Sequence, residues 1–297
     1  MKIAVTGASG FVGGAIATAL AERGHDVTGF GRVSRGWRGR YQQWDLTEGI
    51  RMQQADAVVH CAALADDGVS RGEAMRINRL GTRTVVASFP GARIVHLSTS
   101  SVYDAFVATV RVREAQIATR FLSSYSESKA AAEREVGDNA VILRPHAVYG
   151  PGDTTLLPRI LKGVRGGRLV LPEGARVRHT LTHIDNLVDA AELALTGPVG
   201  TYNIGDDTEV LLSAVIAELL SRRGLQDVSI VSIPYRAAFA LAGALETLHS
   251  VTRRGVPRLT RYAVSQLGKE RTLDLTAARE KLGYSPRPTN LSGAEEW

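Results

Sequence analysis

The sequence predicts an α/β fold: a Rossmann-like, doubly wound parallel sheet with a smaller C-terminal α+β lobe. Residues 2–6 form a short apolar run rich in β-branched side chains, which is typical of a buried parallel strand. A glycine-rich turn at residues 7–13 follows directly and leads into a helical stretch at residues 15–23. Strand and helix patterns then alternate through the first half of the chain, as a doubly wound sheet requires.

The turn at residues 7–13 reads GASGFVG, with its glycines spaced G-x-x-G-x-x-G. Gly7 permits the tight turn, and Gly10 lets the main chain approach a pyrophosphate closely. Gly13 allows the helix to pack against the strand, while the helix N-terminus faces the anion. We therefore predict that this turn binds a dinucleotide. The other candidate contacts in the turn are Ser9, Phe11 and Val12.

The end of the second predicted strand, residues 26–32, indicates which dinucleotide binds. Sites selective for NAD usually place an acidic residue there to bind the ribose 2′-hydroxyl. This chain has Gly31 and Arg32 instead, with Arg35 following. Since a guanidinium can bind a 2′-phosphate through two hydrogen bonds and glycine leaves room for it, we favour NADP(H), with NAD(H) as the alternative. The competing interpretation is a basic surface loop, which applies above all to Arg35, Arg38 and Arg40.

The other elements follow in order along the chain. We predict strands at residues 41–44, 57–61, 93–98 and 140–144, and helices at residues 72–88 and 123–136. Ser124 and Glu127 fit a capping box at the start of the second of these helices. Beyond a loop rich in proline and glycine, we predict a helix at 156–165, an extended pair within 168–182, and a helix capped by Asp185 that runs through 195. A strand at 202–204 and helices at 211–223, 235–251, 258–267 and 276–282 complete the chain.

These elements divide into two parts. Residues 1–150 form the predicted dinucleotide-binding domain, which residues 183–205 complete. Residues 151–182 and 206–297 form a smaller substrate-binding lobe that closes over the cofactor.

Tyr125 and Lys129 lie four residues apart at the start of the predicted helix at residues 123–136, so they share one face of it. An ammonium beside a phenol favours phenolate and lowers the pKa of the tyrosine toward neutral pH. Such a tyrosine can donate a proton to a carbonyl or accept one from an alcohol. We predict that this pair carries acid–base chemistry, although Tyr-x-x-x-Lys pairs also occur on helices by chance.

Composition argues against several other classes of protein. The 297 residues are 44% apolar with 30 glycines, and no run reaches the roughly 18 to 20 apolar residues that cross a bilayer. We find no secretory leader, so we expect a cytoplasmic protein. The net charge of +6 comes from scattered arginines without a basic helical stripe, so we expect no nucleic-acid partner.

We also expect no metal site and no nucleophilic cysteine. The single cysteine, Cys61, excludes an internal disulfide, argues against a cysteine-based metal site and lies at a predicted strand end, where it belongs to the core. The spacing of His60, His146 and His183 matches no helical pair of metal ligands, and no acidic cluster accompanies them. These histidines are expected to be buried and hydrogen-bonded.

A series of short motifs occurs in order along the chain. They are the glycine-rich turn, Asp45-Leu46, HCAA at 60–63, Asn78-x-x-Gly81-Thr82, LSTSSVY at 97–103, Tyr125-x-x-x-Lys129, RPHAVYGPGD at 144–153 and THIDN at 182–186. Over essentially its whole length the chain therefore resembles the extended short-chain dehydrogenases/reductases of the NAD(P)-dependent epimerase/dehydratase superfamily.

The C-terminal part is similar to the 3β-hydroxysteroid dehydrogenase branch, which includes the 2-alkyl-3-oxoalkanoate reductases. The resembling segments are residues 234–238, 245–247, 259–262 and 274–284. Motifs of the nucleotide-sugar enzymes are altered, because Arg178 is shifted without its acidic neighbour and residues 144–146 lack the usual asparagine. The segment between Tyr103 and Tyr125 is also shorter than in full-length members of the branch.

The resemblance implies a role for each candidate residue. Tyr125 would donate and accept the proton, Lys129 would bind the nicotinamide ribose, and Thr99 would hydrogen-bond the substrate oxygen. Ser100 takes the place of Thr99 if the register is shifted by one, and Asn78 would be a structural link between helix and strand. The other implied cofactor contacts are Asp45 and Leu46 at the adenine, Ala62 and Ala63 along the cofactor channel, and Pro145 and Val148 beside the nicotinamide.

The resemblance implies an NADP(H)-dependent oxidoreductase that reduces a ketone, or oxidises the matching secondary alcohol, of a small or lipid-like substrate. It also implies a homodimer. Two alternatives stay open at this point: a nucleotide-sugar epimerase or dehydratase that retains NAD(P), and a non-catalytic NADP-binding partner protein.

Overall fold

The structure is a computed structural model that describes residues 1–34, 37–66, 68–252 and 259–297. Its strands are β1 (Lys2–Thr6), β2 (Asp26–Gly31), β3 (Arg40–Gln43), β4 (Ala57–His60), β5 (Arg93–Leu97), β6 (Thr109–Val112), β7 (Ala140–Pro145), β8 (Val148–Tyr149), β9 (Arg168–Pro172), β10 (Arg178–His179), β11 (Thr182–His183), β12 (Gly200–Ile204), β13 (Val210–Leu211), β14 (Ser229–Ile233) and β15 (Arg271–Leu273). Its helices are α1 (Phe11–Glu22), α2 (Arg71–Ala74), α3 (Gly81–Ser88), α4 (Ser124–Glu133), α5 (Leu156–Gly163), α6 (Ile184–Thr196), α7 (Leu212–Arg222), α8 (Tyr235–Thr252), α9 (Arg261–Gly268) and α10 (Thr276–Leu282).

A seven-stranded sheet forms the centre of the molecule, in the order β12-β7-β5-β4-β1-β2-β3. Every neighbouring pair in it is parallel. β2 and β3 lie on one side of β1, and the chain then crosses to the other side of β1 for β4. The strand order therefore reverses between β1 and β4. The predicted fold class is confirmed.

Helices cover both faces of this sheet. On one face α1 and α6 pack together, and their Ile16, Leu20 and Leu187 side chains are fully buried against the strands. On the other face α2 runs through a π-helical turn (Met75–Leu80) into α3, beside α4. Phe30 and Phe89 lie edge to face there, with ring centroids 5.7 Å apart, in a core formed mainly by aromatic and β-branched side chains. The two apolar faces explain why the strands read as continuous apolar runs.

The C-terminal part of the chain is built mainly on three smaller sheets, which also take β6 and β8 from the first half of the chain, and on the helices that cover them. Its sheets have the orders β13-β10-β15-β6, β11-β8 and β14-β9. Leucine and isoleucine side chains of α5, β9 and α7 form its core, and α8 packs against α9. Of the helices in the described ranges, none combines the length and apolar character needed to span a bilayer.

Two predicted helix starts differ from the structure by one or two residues. The N-cap of α4 is Ser123, whose hydroxyl accepts from the Ser126 amide at 3.1 Å, so the predicted capping box of Ser124 and Glu127 is wrong. Glu127 instead pairs with Arg71 at 2.6 Å. His183 caps α6 through its Nδ1 atom, and the predicted cap, Asp185, supplies the donated amide at 3.2 Å. In both places neighbouring polar residues compete, and the direction of the incoming chain selects the cap.

Several short strands of the C-terminal lobe were not predicted. The extended pair within 168–182 corresponds to β9 and β10, but these strands pair with β14 and with β13 and β15 rather than with each other. Two-residue strands such as β10 and β13 carry too few residues for an alternating pattern, so their partners cannot be read locally. The predicted helix at 258–267 is α9, and residue 258 lies outside the described residues.

Candidate active site

The turn between β1 and α1 is built for close approach of a ligand. Gly10 is the N-cap of α1, and no side chain caps that end. Gly7 has a φ of +73°, and a methyl group there would lie 2.8 Å from the Ala62 amide nitrogen. A methyl group on Gly13 would lie 2.3 Å from the Gly7 carbonyl oxygen. Because only glycine fits at these two positions, the main chain stays open around the α1 N-terminus, and the cradle suits a pyrophosphate.

The other candidate residues of the turn surround this cradle. Phe11 lies close to the loop after β8, where a methyl group on Gly152 would be 3.4 Å from its ring. Ser9 lies toward the end of β2, since its hydroxyl would be 3.2 Å from a methyl group on Gly31. Val12 packs against the core between the sheet and α1, which leaves its main-chain amide as the group that can meet a cofactor.

Gly31, at the end of β2, lies close to the Tyr41 side chain. A methyl group on Gly31 would lie 2.6 Å from the Tyr41 hydroxyl, which donates to the Val33 carbonyl oxygen at 2.5 Å. A larger residue at position 31, including the acid typical of NAD sites, would therefore displace Tyr41. Arg32 follows directly and is exposed.

For the later arginines of this loop, the alternative to a cofactor contact is a basic surface loop. Arg40 forms an ion pair with Asp26, as the surface-loop alternative predicts. Arg38 is exposed. Arg35 lies outside the described residues.

Asp45 marks the adjoining edge of the cradle. It caps a short 3-10 turn at Leu46–Glu48, and its carboxylate accepts from the Thr47 amide at 2.9 Å and the Thr47 hydroxyl at 2.8 Å. These bonds, followed by the charges of Arg32 and Arg76, hold the pKa of Asp45 below its usual value. Arg76, in the π-helical turn before α3, is a second cation at this edge that the sequence did not single out.

The remaining candidates near the cradle come from the loop after β4 and from the 3-10 turn. The Ala62 amide donates to the Thr6 hydroxyl at 3.3 Å, and Ala62 is half-buried under Gly7 whereas Ala63 is exposed. Leu46 packs against α3, where a methyl group on Gly81 would be 3.3 Å from it.

Asn78 connects this loop to the next site element. Its amide oxygen accepts from the Leu64 amide at 2.7 Å, and its amide nitrogen donates to the Leu64 carbonyl at 3.1 Å and to the Ser128 hydroxyl at 2.8 Å. Asn78 lies in the π-helical turn, a feature that often marks functional sites because it re-aims a side chain. It holds the loop after β4 against α4.

The catalytic candidates lie at the same edge of the central sheet as the cradle. β1, β4, β5 and β7 are parallel and adjacent, so their carboxyl ends meet there. Gly7 follows β1, Thr99 follows β5 and His146 follows β7. Pro145 ends β7 and is buried, and Val148 in β8 packs against the core, so both line the floor of this edge.

Lys129 is buried, with 2% of its surface exposed, one turn along α4 from the half-buried Tyr125. Its Nζ atom donates to the Leu97 carbonyl oxygen at 2.6 Å and lies 3.3 Å from His96 Nε2. Burial lowers the pKa of Lys129 from 10.5 to about 8, while the charge of Glu133 opposes this. The ammonium thus stands at the carboxyl end of β5 and remains charged at neutral pH.

Two neutral histidines lie behind Lys129. The rings of His60 and His96 are 5.2 Å apart between centroids. Burial, followed by the Lys129 charge, lowers the pKa of His60 to about 3 and that of His96 well below its usual value. His60 bonds to the Thr6 hydroxyl at 2.6 Å and the Thr82 hydroxyl at 2.9 Å, so it is a buried, hydrogen-bonded residue as the sequence predicts.

The loop after β5 carries the two hydroxyl candidates for the substrate oxygen. Thr99 caps a 3-10 turn at Ser100–Val102: its Oγ1 atom accepts from the Ser101 amide at 3.1 Å and donates to the Ser101 hydroxyl at 3.0 Å. Ser100 instead points to His146, with its hydroxyl 2.7 Å from Nδ1. His146 Nε2 is in turn 3.0 Å from His179 Nδ1.

Comparison with known proteins shows the family of this chain. The sequence profile of the NAD dependent epimerase/dehydratase family matches residues 3–205. The chain belongs to this family. It is an NAD(P)-dependent oxidoreductase of the extended short-chain dehydrogenase/reductase type.

Relatives of this extended short-chain dehydrogenase/reductase include named ketone reductases. It is 32% identical to the 4-hydroxy-2-methyl-3-oxo-4-farnesyl-3,4-dihydroquinoline-1-oxide ketoreductase of Stigmatella aurantiaca, over 99% of this chain and 95% of that protein. It is also 32% identical to a 2-alkyl-3-oxoalkanoate reductase of Shewanella oneidensis, over 95% of this chain and 81% of that protein. These identities agree with the branch expected from the C-terminal motifs.

Solved structures agree in fold. MoeE5, in complex with UDP-glucose and NAD, superposes with a TM-score of 0.72 at 23% identity, over 99% of this chain and 96% of that one. UDP-glucose 4-epimerase of Thermotoga maritima gives a TM-score of 0.70 at 21% identity, over 99% and 96% of the two chains. At such identities the likeness shows the shared fold alone.

A buried ion pair supports the catalytic edge of the enzyme from behind. The Arg144 guanidinium donates to Glu133 at 2.8 Å and 2.6 Å, and the Ser98 hydroxyl donates to the same carboxylate. Arg144 also donates to the Tyr103 hydroxyl at 3.1 Å. Because Glu133 is on α4 and Arg144 on β7, the pair fixes the helix of Tyr125 against the sheet.

Of the candidate histidines, His60 and His146 are buried as predicted, whereas His183 is half-buried because it caps α6 at the surface end of the helix. Burial raises the pKa of Cys61 to about 12, so its thiol stays protonated. Within the described ranges, no group of three or more His, Cys, Asp or Glu side chains could hold a metal ion.

Sequence reasoning missed several polar residues that the fold brings to the site. His96 contacts Lys129, His179 contacts His146, and the Tyr262 hydroxyl lies 2.5 Å from the Ser101 hydroxyl. The only local signal was for His96, a polar residue inside the apolar strand β5. His179 and Tyr262 come from the C-terminal lobe, far along the chain.

Proposed function

We propose that this chain is an NADP(H)-dependent oxidoreductase that reduces a ketone of a small or lipid-like substrate, or oxidises the matching secondary alcohol. The observation that carries the proposal is the bond from Lys129 Nζ to the Leu97 carbonyl oxygen, which holds the helix of Tyr125 to the end of β5, two residues before Thr99 and at the same sheet edge as the glycine cradle. The names of the Stigmatella and Shewanella relatives, a ketoreductase and an oxoalkanoate reductase, support the ketone as the reacting group.

In this proposal each residue has a separate role at one substrate carbonyl. The bound dinucleotide supplies or accepts the hydride. Tyr125 donates the proton to the substrate oxygen, and Thr99 donates a hydrogen bond to the same oxygen. Lys129, held by the Leu97 carbonyl, places a positive charge near the phenol and favours its ionised form when the proton leaves. A positioned acid of this kind contributes on the order of 100- to 10,000-fold to the rate.

The preference for NADP(H) rests on the residues at the end of β2. Position 31 is glycine beside the Tyr41 hydroxyl, whereas an acid at this position would select NAD. Arg32 then offers an exposed guanidinium, and Arg76 adds a second positive charge near Asp45. Two cations at this edge, with no acid at the end of β2, suit a 2′-phosphate.

The proposal is tested by incubating the purified chain with NADPH or NADH and a panel of β-keto acids, sterols and nucleotide sugars. We expect loss of reduced-nicotinamide absorbance with a ketone substrate, faster with NADPH, and formation of the secondary alcohol by mass spectrometry. Conversion of a nucleotide sugar by a tightly retained cofactor, with no net oxidation of nicotinamide, would instead establish the epimerase alternative. Binding of NADPH without turnover of any carbonyl compound would contradict the proposal.

A further inference from the structure

A chain of three hydroxyl groups links the C-terminal lobe to the loop after β5. The Thr99 hydroxyl donates to Ser101 Oγ at 3.0 Å, and Ser101 Oγ lies 2.5 Å from the Tyr262 hydroxyl. Thr99 and Ser101 are buried and Tyr262 is half-buried. Tyr262 is in the first turn of α9, whereas the other two residues lie at the edge of the central sheet.

The position of Tyr262 is held from several sides. Thr260 caps α9 by accepting from the Ala263 amide at 3.0 Å. Arg261 pairs with Glu246 of α8 at 2.7 Å. Ser265, one turn further along α9, donates to the Ala105 carbonyl oxygen and so fixes the helix to the segment that follows Tyr103. The phenol is therefore presented to Ser101 by a helix anchored at both its start and its middle.

A bound substrate fixes the direction of the hydrogen bonds in this chain. Thr99 Oγ1 and Ser101 Oγ are 3.0 Å apart, and donation by Thr99 to a substrate oxygen requires the Thr99 hydrogen to point away from Ser101. The Ser101 hydroxyl can then donate to Thr99 Oγ1, since hydroxyl groups rotate and act as both donor and acceptor. The buried Ser101 Oγ would then no longer accept a hydrogen bond from Thr99. It stays without a donor unless the Tyr262 hydroxyl donates to it.

We propose that Tyr262 is a positioning residue for the reaction: its phenol donates to Ser101 so that Ser101 donates to Thr99 and the Thr99 hydrogen is directed at the substrate oxygen. In a chain of this kind each bond polarises the next, so Thr99 becomes a better donor as negative charge develops on that oxygen. The inference rests on the proposed function, because it assigns Thr99 to the substrate oxygen. It makes the C-terminal lobe a contributor to the chemistry through one hydroxyl.

The test is a double-mutant cycle with Tyr262→Phe, which keeps the ring and removes the hydroxyl, and Thr99→Val. We expect Tyr262→Phe to lower kcat roughly 2- to 12-fold, the range spanned by one neutral hydrogen bond, with KM and the Kd for NADPH unchanged. In the Thr99→Val background Tyr262→Phe should cause no further loss, since the residue that it acts through is gone. Ser101→Ala should lower kcat in the same way and also abolish the effect of Tyr262→Phe.

Tyr202→Phe is the matched control. Its phenol donates to the Pro198 carbonyl at 3.0 Å, near the amino end of the central sheet, so its loss should leave kcat at the wild-type value. Wild-type kcat in Tyr262→Phe, or losses that multiply in the Thr99→Val background, would overturn the inference while leaving the proposed function intact. Failure of the proposed function has a different signature, because the wild-type chain would then reduce no ketone at all.

Discussion

The Lys129 ammonium lies 2.6 Å from the carbonyl oxygen of Leu97. This bond joins α4, which carries Tyr125, to the end of β5, two residues before Thr99. The catalytic candidates thus come from two elements that are separated in sequence and tied together by one buried cation.

Removal of the Tyr125 hydroxyl should abolish most turnover without loss of affinity for the cofactor. We expect Tyr125→Phe to lower kcat by roughly 100- to 10,000-fold, since the proton donor is lost while the ring remains. The Kd for NADPH, measured by fluorescence titration, should stay within about twofold of wild type. A variant that retains the wild-type rate would refute the assignment of Tyr125.

Loss of Arg32 should weaken the binding of NADPH much more than the binding of NADH. We expect Arg32→Ala to raise the Kd for NADPH roughly 10- to 100-fold, the worth of a charge-assisted hydrogen bond, and to change the Kd for NADH little. Arg40→Ala is the control, because Arg40 forms an ion pair with Asp26 instead. Equal losses for NADPH and NADH in isothermal titration would argue against a 2′-phosphate site at Arg32.

The buried charge of Lys129 should make stability depend on pH. Burial lowers the pKa of Lys129 from 10.5 to about 8, so between these values the unfolded chain binds more protons than the folded one. Folding is therefore penalised by this group below about pH 8, and the penalty is relieved as the pH rises toward 10.5. Stability of the wild-type chain, relative to a Lys129→Met variant that lacks the group, should rise with pH.

We expect that relative gain to be about 2 kcal/mol between about pH 7 and about pH 10, measured as the difference in free energy of unfolding in urea. The Lys129→Met variant should also lose activity. Lys281→Met, on an exposed side chain, is the control. A difference that stays constant over this pH range would show that the ammonium carries no burial penalty.

Breaking the buried ion pair between Glu133 and Arg144 should lower the free energy of unfolding. Glu133 is 8% exposed and Arg144 is 2% exposed, so Glu133→Gln leaves a buried guanidinium without its countercharge. We expect a loss of about 3 to 5 kcal/mol in the free energy of unfolding. Glu48→Gln removes an exposed pair with Arg51 and should cost under about 1 kcal/mol. Similar losses for both variants in urea denaturation would contradict this account.

Most of the central sheet could be predicted because its signals are local. The apolar run at Lys2–Thr6, the glycine-rich turn and the alternation of strands and helices each depend on neighbouring residues, and the structure has them in the predicted order. The cradle was also predictable, since glycine is required wherever a side chain would collide with the main chain, as at Gly7 and Gly13.

The helix caps and the C-terminal strands were less predictable for one shared reason. Ser123 and Ser124 are equally suited to cap α4, and the path of the chain before the helix selects Ser123. β10 and β13 are two-residue strands whose partners are set by packing of distant segments. Local residue type cannot distinguish such alternatives, because each differs from the next only in its long-range contacts.

By itself, the sequence determined the parallel α/β architecture, the glycine cradle and the Tyr125–Lys129 pair, since short-range periodicity and steric limits specify all three. Only the tertiary structure decided which hydroxyl of the loop after β5 turns to Ser101 and which to His146, and it alone placed His96, Arg76 and Tyr262 at the site. The physical reason is that these contacts join residues from separate strands and helices, so their distances exist only once the sheet and the C-terminal lobe have packed together.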